Sequence, residues 1–210
     1  EPEFKSKIPL FIMHPTIVND FRKLYVSAQP ISFMMVKSET KYLKNNFSIE
    51  NIEFTKFFKR NDPYNLDFMS ALRMNGTFPY VLPNVCLPSE PMIEVVDAGA
   101  RDNYGMEVTL NYLMHFSEWI EQNTSGVIIL QLRDNFKTDA EDKLYPADYD
   151  PNASPLSAML GKVTIPHNYI QDNELMFLSR SLNFPVDVIS LELFNIKKDK
   201  ISLNWHLTKK

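Results

Sequence analysis

Two apolar runs of strand length enclose one long amphipathic stretch, and that order leaves few folds open to the chain. Residues 92–96 read as a buried strand. Residues 127–132, Val-Ile-Ile-Leu-Gln-Leu, are apolar on both faces, the pattern of a central strand in a parallel sheet. Between them the spacing predicts a helix of about twenty residues. It opens near Asn103, a good N-cap, with Glu107 in its first turns where the helix dipole favours a carboxylate. Leu113, Phe116 and Ile120 form its apolar face, widened by Tyr112 and Trp119, and Asn123-Thr124-Ser125-Gly126 stops it. Strand, helix and strand make a βαβ unit, so an α/β fold with a mostly parallel sheet and antiparallel edge strands is expected.

The flanking segments fill out that sheet. Residues 8–13, 23–27, 31–36 and 52–58 read as short strands, separated by polar breaks at Asn19-Asp20 and Lys44-Asn45-Asn46. Residues 66–74 have helical spacing and end at Gly76, after which Pro79, Pro83, Pro88 and Pro91 hold the chain extended. A polar, acid-rich loop is expected over 134–157, long enough to suggest a lid or binding loop. A helix over 169–182 and strands over 186–194 and 201–207 follow, the last two joined across Lys197-Lys198-Asp199-Lys200. The 210 residues suffice for one buried core.

Composition narrows the function classes. A net charge of −4 argues against a nucleic-acid partner, which would favour a basic stripe. No apolar run reaches the ~18 residues of a spanning helix, and the N-terminus lacks the shape of a signal peptide. A cytoplasmic or membrane-peripheral location is therefore favoured. The lone Cys86 rules out an internal disulfide. Only five glycines are present, all standing singly, where average usage would give about fifteen. Loops that cradle phosphates or oxyanions need closely spaced glycines, and this chain has none. No organic cofactor or metal is expected: His14, His115, His167 and His206 are scattered, with no H-E-x-x-H pair. Asp148-Tyr149-Asp150-Pro151-Asn152 starts like a calcium loop, but Ala153 and Met159 replace its essential Gly and Glu.

The candidate for chemistry is Asp97. An ionisable group where a buried strand ends occupies a favoured position for chemistry in α/β folds. It can serve there as a base, as a metal ligand, or as the acceptor that closes a turn. None of the fifteen serines lies in G-x-S-x-G; Ser125 precedes a strand, whereas an elbow serine follows one. Phe54, Phe57 and Phe58 lie among Lys56, Lys59 and Arg60. That mixture suits either a lipid-facing surface or alternating strand burial, and burial is the simpler expectation.

Two segments, in order, carry a family resemblance. Ser70-Ala71-Leu72-Arg73-Met74-Asn75-Gly76-Thr77-Phe78-Pro79 resembles the helix and Phe-Pro segment that lead to the aspartate strand of patatin-like phospholipase domains. Val95-Val96-Asp97-Ala98-Gly99-Ala100-Arg101-Asp102-Asn103 resembles the turn that carries their catalytic aspartate. The resemblance spans residues 10–207 loosely and is specific over 72–85, 94–105 and, less so, 126–134. It implies the C-terminal portion of a three-layer α/β/α domain, with Asp97 as the base of a Ser–Asp dyad and Ala98, Gly99 and Asn103 shaping the turn and the helix start. Ala98 stands where the family has glycine, which restricts the turn wherever positive φ is needed.

By the same resemblance, the glycine-rich oxyanion loop and the elbow serine belong to a first half of the domain that this chain does not contain. The 210 residues alone are then expected to hydrolyse no ester. The intact protein would be a lipid or phospholipid acyl hydrolase working without metal or cofactor, its substrate drawn from a membrane surface. The alternative is a non-catalytic module of the same fold that binds lipid or a partner protein. Half a sheet would leave an apolar edge, so self-association or capture by the missing half is expected.

Overall fold

The computed structural model describes residues 9–35, 50–78, 81–133 and 164–192, with side chains over 169–191 in the last stretch. It is a mixed α/β protein that divides into two compact units. The expected loop over 134–157 and the expected strand over 201–207 lie outside the described residues, as does the calcium-like segment.

The first unit is built on a five-stranded sheet in the order β3-β2-β1-β5-β4. Its strands are β1 (Thr16–Ile17), β2 (Lys23–Tyr25), β3 (Asn51–Glu53), β4 (Val85–Leu87) and β5 (Ile93–Val96). β2 and β3 run parallel, while β1–β2, β1–β5 and β4–β5 are antiparallel. The β1–β2 turn closes where Asp20 Oδ1 accepts the Arg22 N–H at 3.1 Å, an aspartate bonding the backbone two residues on.

Because side chains alternate along each strand, the sheet has two distinct faces. On one, Ile17, Leu24 and Val95 pack with Phe54 and Phe58 from α1 (Phe54–Phe57) and its following turn, and with Ala71 and Met74 of α2 (Phe68–Asn75). The other face carries His14, Thr16, Lys23, Tyr25, Asn51 and Glu53, all of them buried. It is covered by the 3-10 turn Ser32–Met35 and by α3 (Met106–His115), with Ile31, Met34 and Val108 packed around Tyr25. Asp67 caps α2 by accepting the Ser70 N–H at 3.0 Å, and Gly76 follows its end.

The second unit contains α4 (Ser117–Asn123), β6 (Val127–Arg133) and β7 (Val186–Glu192). β6 and β7 pair in parallel from Val127↔Val186 to Arg133↔Glu192. The helix α5 (Thr164–Ser181) connects to β7, its residues through Leu175 falling in the first unit and the rest in the second. Gly126, at φ 146°, has no room for a side chain: a Cβ would lie 2.7 Å from Pro185.

Several expectations are corrected here. The segment 31–36 contains a 3-10 turn, because Glu53 draws the Ile31 N–H and the Ser32 hydroxyl inward, at 3.2 and 2.5 Å. Of the expected strand 52–58 only Ile52 and Glu53 are extended, within a strand that starts at Asn51; helix α1 begins at Phe54, where burying Phe54 and Phe58 together needs helical spacing. Among the described residues 9–13 only Met13 makes a bridge, to Val26. The single long helix is two, α3 and α4, parted at Phe116. β5 pairs with β1 and β4, and β6 with β7, so the parallel crossover joins β6 to β7. β6 has one covered face: Ile129, Gln131 and Arg133 are buried while Ile128 and Leu132 are each 68% exposed.

Candidate functional site

β5 delivers Asp97 to the point where the sheet ends. The Asp97 N–H donates to the Thr77 carbonyl at 3.0 Å, which ties the aspartate to the end of α2. Its Oδ1 accepts the Gly99 N–H at 2.7 Å, turning the chain into the 3-10 segment Ala98–Ala100. That is the side chain's one hydrogen bond among the described residues. Burial raises the Asp97 pKa above the ordinary carboxylate value, and the Gly99 N–H pulls the other way. Desolvation is the larger effect, so Asp97 holds a proton more readily than an aspartate in water.

Gly99 is where the expected site residues meet. A Cβ on it would lie 2.7 Å from Asp97 Oδ1 and 2.7 Å from Asn103 Oδ1. Both side chains therefore close on the space that glycine leaves empty. Ala98 lies outside the left-handed region and buries its methyl. The left-handed conformation of this loop falls on Gly105 instead, at φ 66°.

Asn103 is not the cap of the following helix. Asp102, only 1% exposed, does that work. Its Oδ1 accepts the Met106 N–H at 2.8 Å and its Oδ2 the Val108 N–H at 3.1 Å. A third donor, Gln171 Nε2 of α5, reaches Oδ1 at 2.9 Å within the same unit. A carboxylate here satisfies orphan N–H groups and meets the positive end of the helix dipole. The turn that carries Asp97 and Asn103 is thus anchored at both ends, at Thr77 and at Asp102.

Beside this anchor lies a polar cluster that alternation along the strands did not reveal. Lys23, fully buried, forms an ion pair with Glu107 of α3. His14 lies two residues before β1, its N–H bonded to Asn75 Oδ1 at 2.8 Å and its ring nitrogen Nε2 3.8 Å from where a Cβ on Gly105 would sit. Burial lowers the His14 pKa, partly offset by the Asp102 charge. Burial also raises the Tyr25 pKa, reinforced by Glu107 and Asp102. Among the described residues, no three His, Cys, Asp or Glu side chains converge as metal ligands.

Compared with protein-family models, curated proteins and solved structures, the chain matches none. The chemistry of the site therefore rests on its own geometry. A half-buried carboxylate with one stabilising hydrogen bond, fixed at the end of a strand, can accept a proton from a hydroxyl placed against its free oxygen. Glycine at position 99, the signal for that arrangement, was visible in the sequence; the capping role of Asp102 was masked by the better-known cap residue beside it.

Proposed function

We propose that this chain supplies the base of a Ser–Asp dyad to a patatin-like acyl hydrolase of lipid esters, the nucleophilic serine coming from outside these 210 residues. The observation that supports it is the Asp97 turn: a strand-end carboxylate, raised in pKa by burial and packed with Asn103 around Gly99. Asp97 takes the serine proton as the hydroxyl oxygen attacks the ester carbonyl, then returns it to the departing alcohol. Water repeats the cycle on the acyl-enzyme, releasing the fatty acid. A pKa raised by burial makes Asp97, when ionised, a stronger base than a free aspartate.

The test is labelling with a fluorophosphonate serine probe, applied to the longest natural polypeptide that contains the chain. Labelling is expected, and Asp97→Asn, which keeps the oxygen that accepts the Gly99 N–H, is expected to slow it about a hundredfold or more. A folded parent that takes no label would overturn the dyad. A second reading, a non-catalytic module of the same fold that binds a partner, is favoured by the bare apolar face of β6 and β7, where Ile128, Leu130, Leu132, Ile189 and Leu191 are exposed.

A further inference from the structure

The segment 54–74, whose helices α1 and α2 cover the apolar face of the first unit's sheet, also exposes apolar side chains to solvent. Phe54, Phe58, Ala71 and Met74 point inward to the core. Phe57, Phe68 and Leu72 are exposed, as are Tyr64 and Met69, at 70% and 65%. Phe11 extends this surface by packing edge-on against Phe68, ring centres 5.8 Å apart. Large aromatic and thioether side chains left in water are costly unless something covers them.

The charges around the patch say what covers it. Between Phe54 and Arg73 the chain carries four cations, Lys56, Lys59, Arg60 and Arg73, against two acids, although the whole protein is at −4. Both acids are occupied locally: Asp62 accepts from the Asn65 amide at 2.5 Å, and Asp67 caps α2. Lys56 is held only loosely, 3.9 Å from Glu53, and its side chain is 69% exposed. Lys59 and Arg60 are exposed and make no ion pair among the described residues. We propose that this face docks the protein on an anionic lipid surface, with Phe57, Tyr64, Phe68 and Met69 entering the headgroup boundary and Lys56, Lys59 and Arg60 meeting its negative charge.

A protein groove would need no such excess of free cations, and the bare β6–β7 face shows the contrast, bearing Asp187 and no Lys or Arg on its exposed side. The place of the patch also fits. α2 runs from Phe68 to Asn75, about 12 Å at 1.5 Å per residue, and Thr77 just beyond it holds the Asp97 N–H. One end of this helix thus carries the exposed Phe68 and Met69, and the other leads into the Asp97 turn. What the docking serves rests on the acyl-hydrolase reading; the docking itself does not.

The experiment is co-sedimentation of the 210-residue chain with phosphatidylcholine vesicles, with and without about a third phosphatidylserine. Binding to the anionic vesicles is expected, weakened by salt. Lys59→Gln/Arg60→Gln should weaken it about 25-fold, at about fivefold per cation. Phe68→Ser/Met69→Ser should weaken it at least about tenfold, with both variants folded by circular dichroism. Equal binding to neutral vesicles, no binding by the folded chain, or indifference to both variants would overturn the proposal. So would a dimer, seen by light scattering without lipid, that the Phe68/Met69 variant dissolves. Serine labelling is read separately, so failure of the dyad and failure of the docking are distinguishable.

Discussion

The two faces of the five-stranded sheet are equally buried and held by different physics. On the apolar face, Ile17, Leu24 and Val95 gain by leaving water, and any side chain of similar size and polarity would serve. On the opposite face, Lys23, Thr16, His14 and Glu53 each lose hydration and must recover it from a specific partner. Glu53 shows the successful case, its oxygens taking the Ile31 N–H and the Ser32 and Thr55 hydroxyls. The lesson is one of tolerance. The apolar face fixes that a sheet forms here; the polar face fixes which loops and helix lie over it, and so where the Asp97 turn is anchored.

The sharpest way to break that contrast is at the ion pair. Glu107→Ala leaves the Lys23 ammonium buried without its counter-charge. The expected loss is about 3 kcal/mol, toward the lower end for a buried pair because Glu107 is partly exposed. Lys23→Met/Glu107→Leu removes both charges and should recover most of that loss. Urea denaturation of the three proteins decides it; equal stability of the single and double variants would place no energetic demand on the polar face.

This face was hidden in the sequence for a physical reason. Lys23 and Tyr25, or Asn51 and Glu53, alternate with Leu24 and Ile52 as the residues of a solvated sheet face do. Alternation reports polarity, and polarity stands for exposure only when nothing covers the face. Where one effect dominated, the chain was legible: β5 and β6 are near-continuous apolar runs, α2 has its helical spacing and Gly76 stop, and Asp97, Gly99 and Asn103 do converge. The break at Phe116 had no glycine or proline to announce it. There, packing of the Phe116 ring against Tyr112 and Phe33, centres 4.6 and 5.1 Å apart, overrides helical continuity.

A smaller effect is expected at the turn itself. Gly99→Ala places a methyl 2.7 Å from both Asp97 Oδ1 and Asn103 Oδ1, so one of the two side chains must move. A cost of about 1–3 kcal/mol is expected for overpacking a site this tight. In the parent polypeptide, serine labelling should fall more than stability does, because the methyl presses directly on the oxygen of the proposed base. A variant with unchanged labelling would show that Asp97 reaches its working position without this turn.

The smallest effect, and the most selective for the polar face, is the pH dependence contributed by His14. Burial holds its pKa below the ordinary value, while the facing charges, Asp102, Lys23 and Glu107, partly oppose one another. Below about pH 6.5 an unfolded His14 binds a proton that the folded one refuses. Stability from this residue is therefore complete above that pH and is lost as pH falls through 6.5 toward the folded value. Asp97 acts with the opposite sign. Its raised pKa lets the folded state bind a proton first, so as pH falls toward its ordinary range of about 3.9 it adds stability. His14→Asn should flatten the decline as pH falls below about 6.5, whereas Asp97→Asn should remove the gain in stability on acidification. Urea midpoints measured across pH 4 to 8 separate the two, and identical pH profiles for wild type and His14→Asn would mean that His14 is as well solvated as a histidine in water.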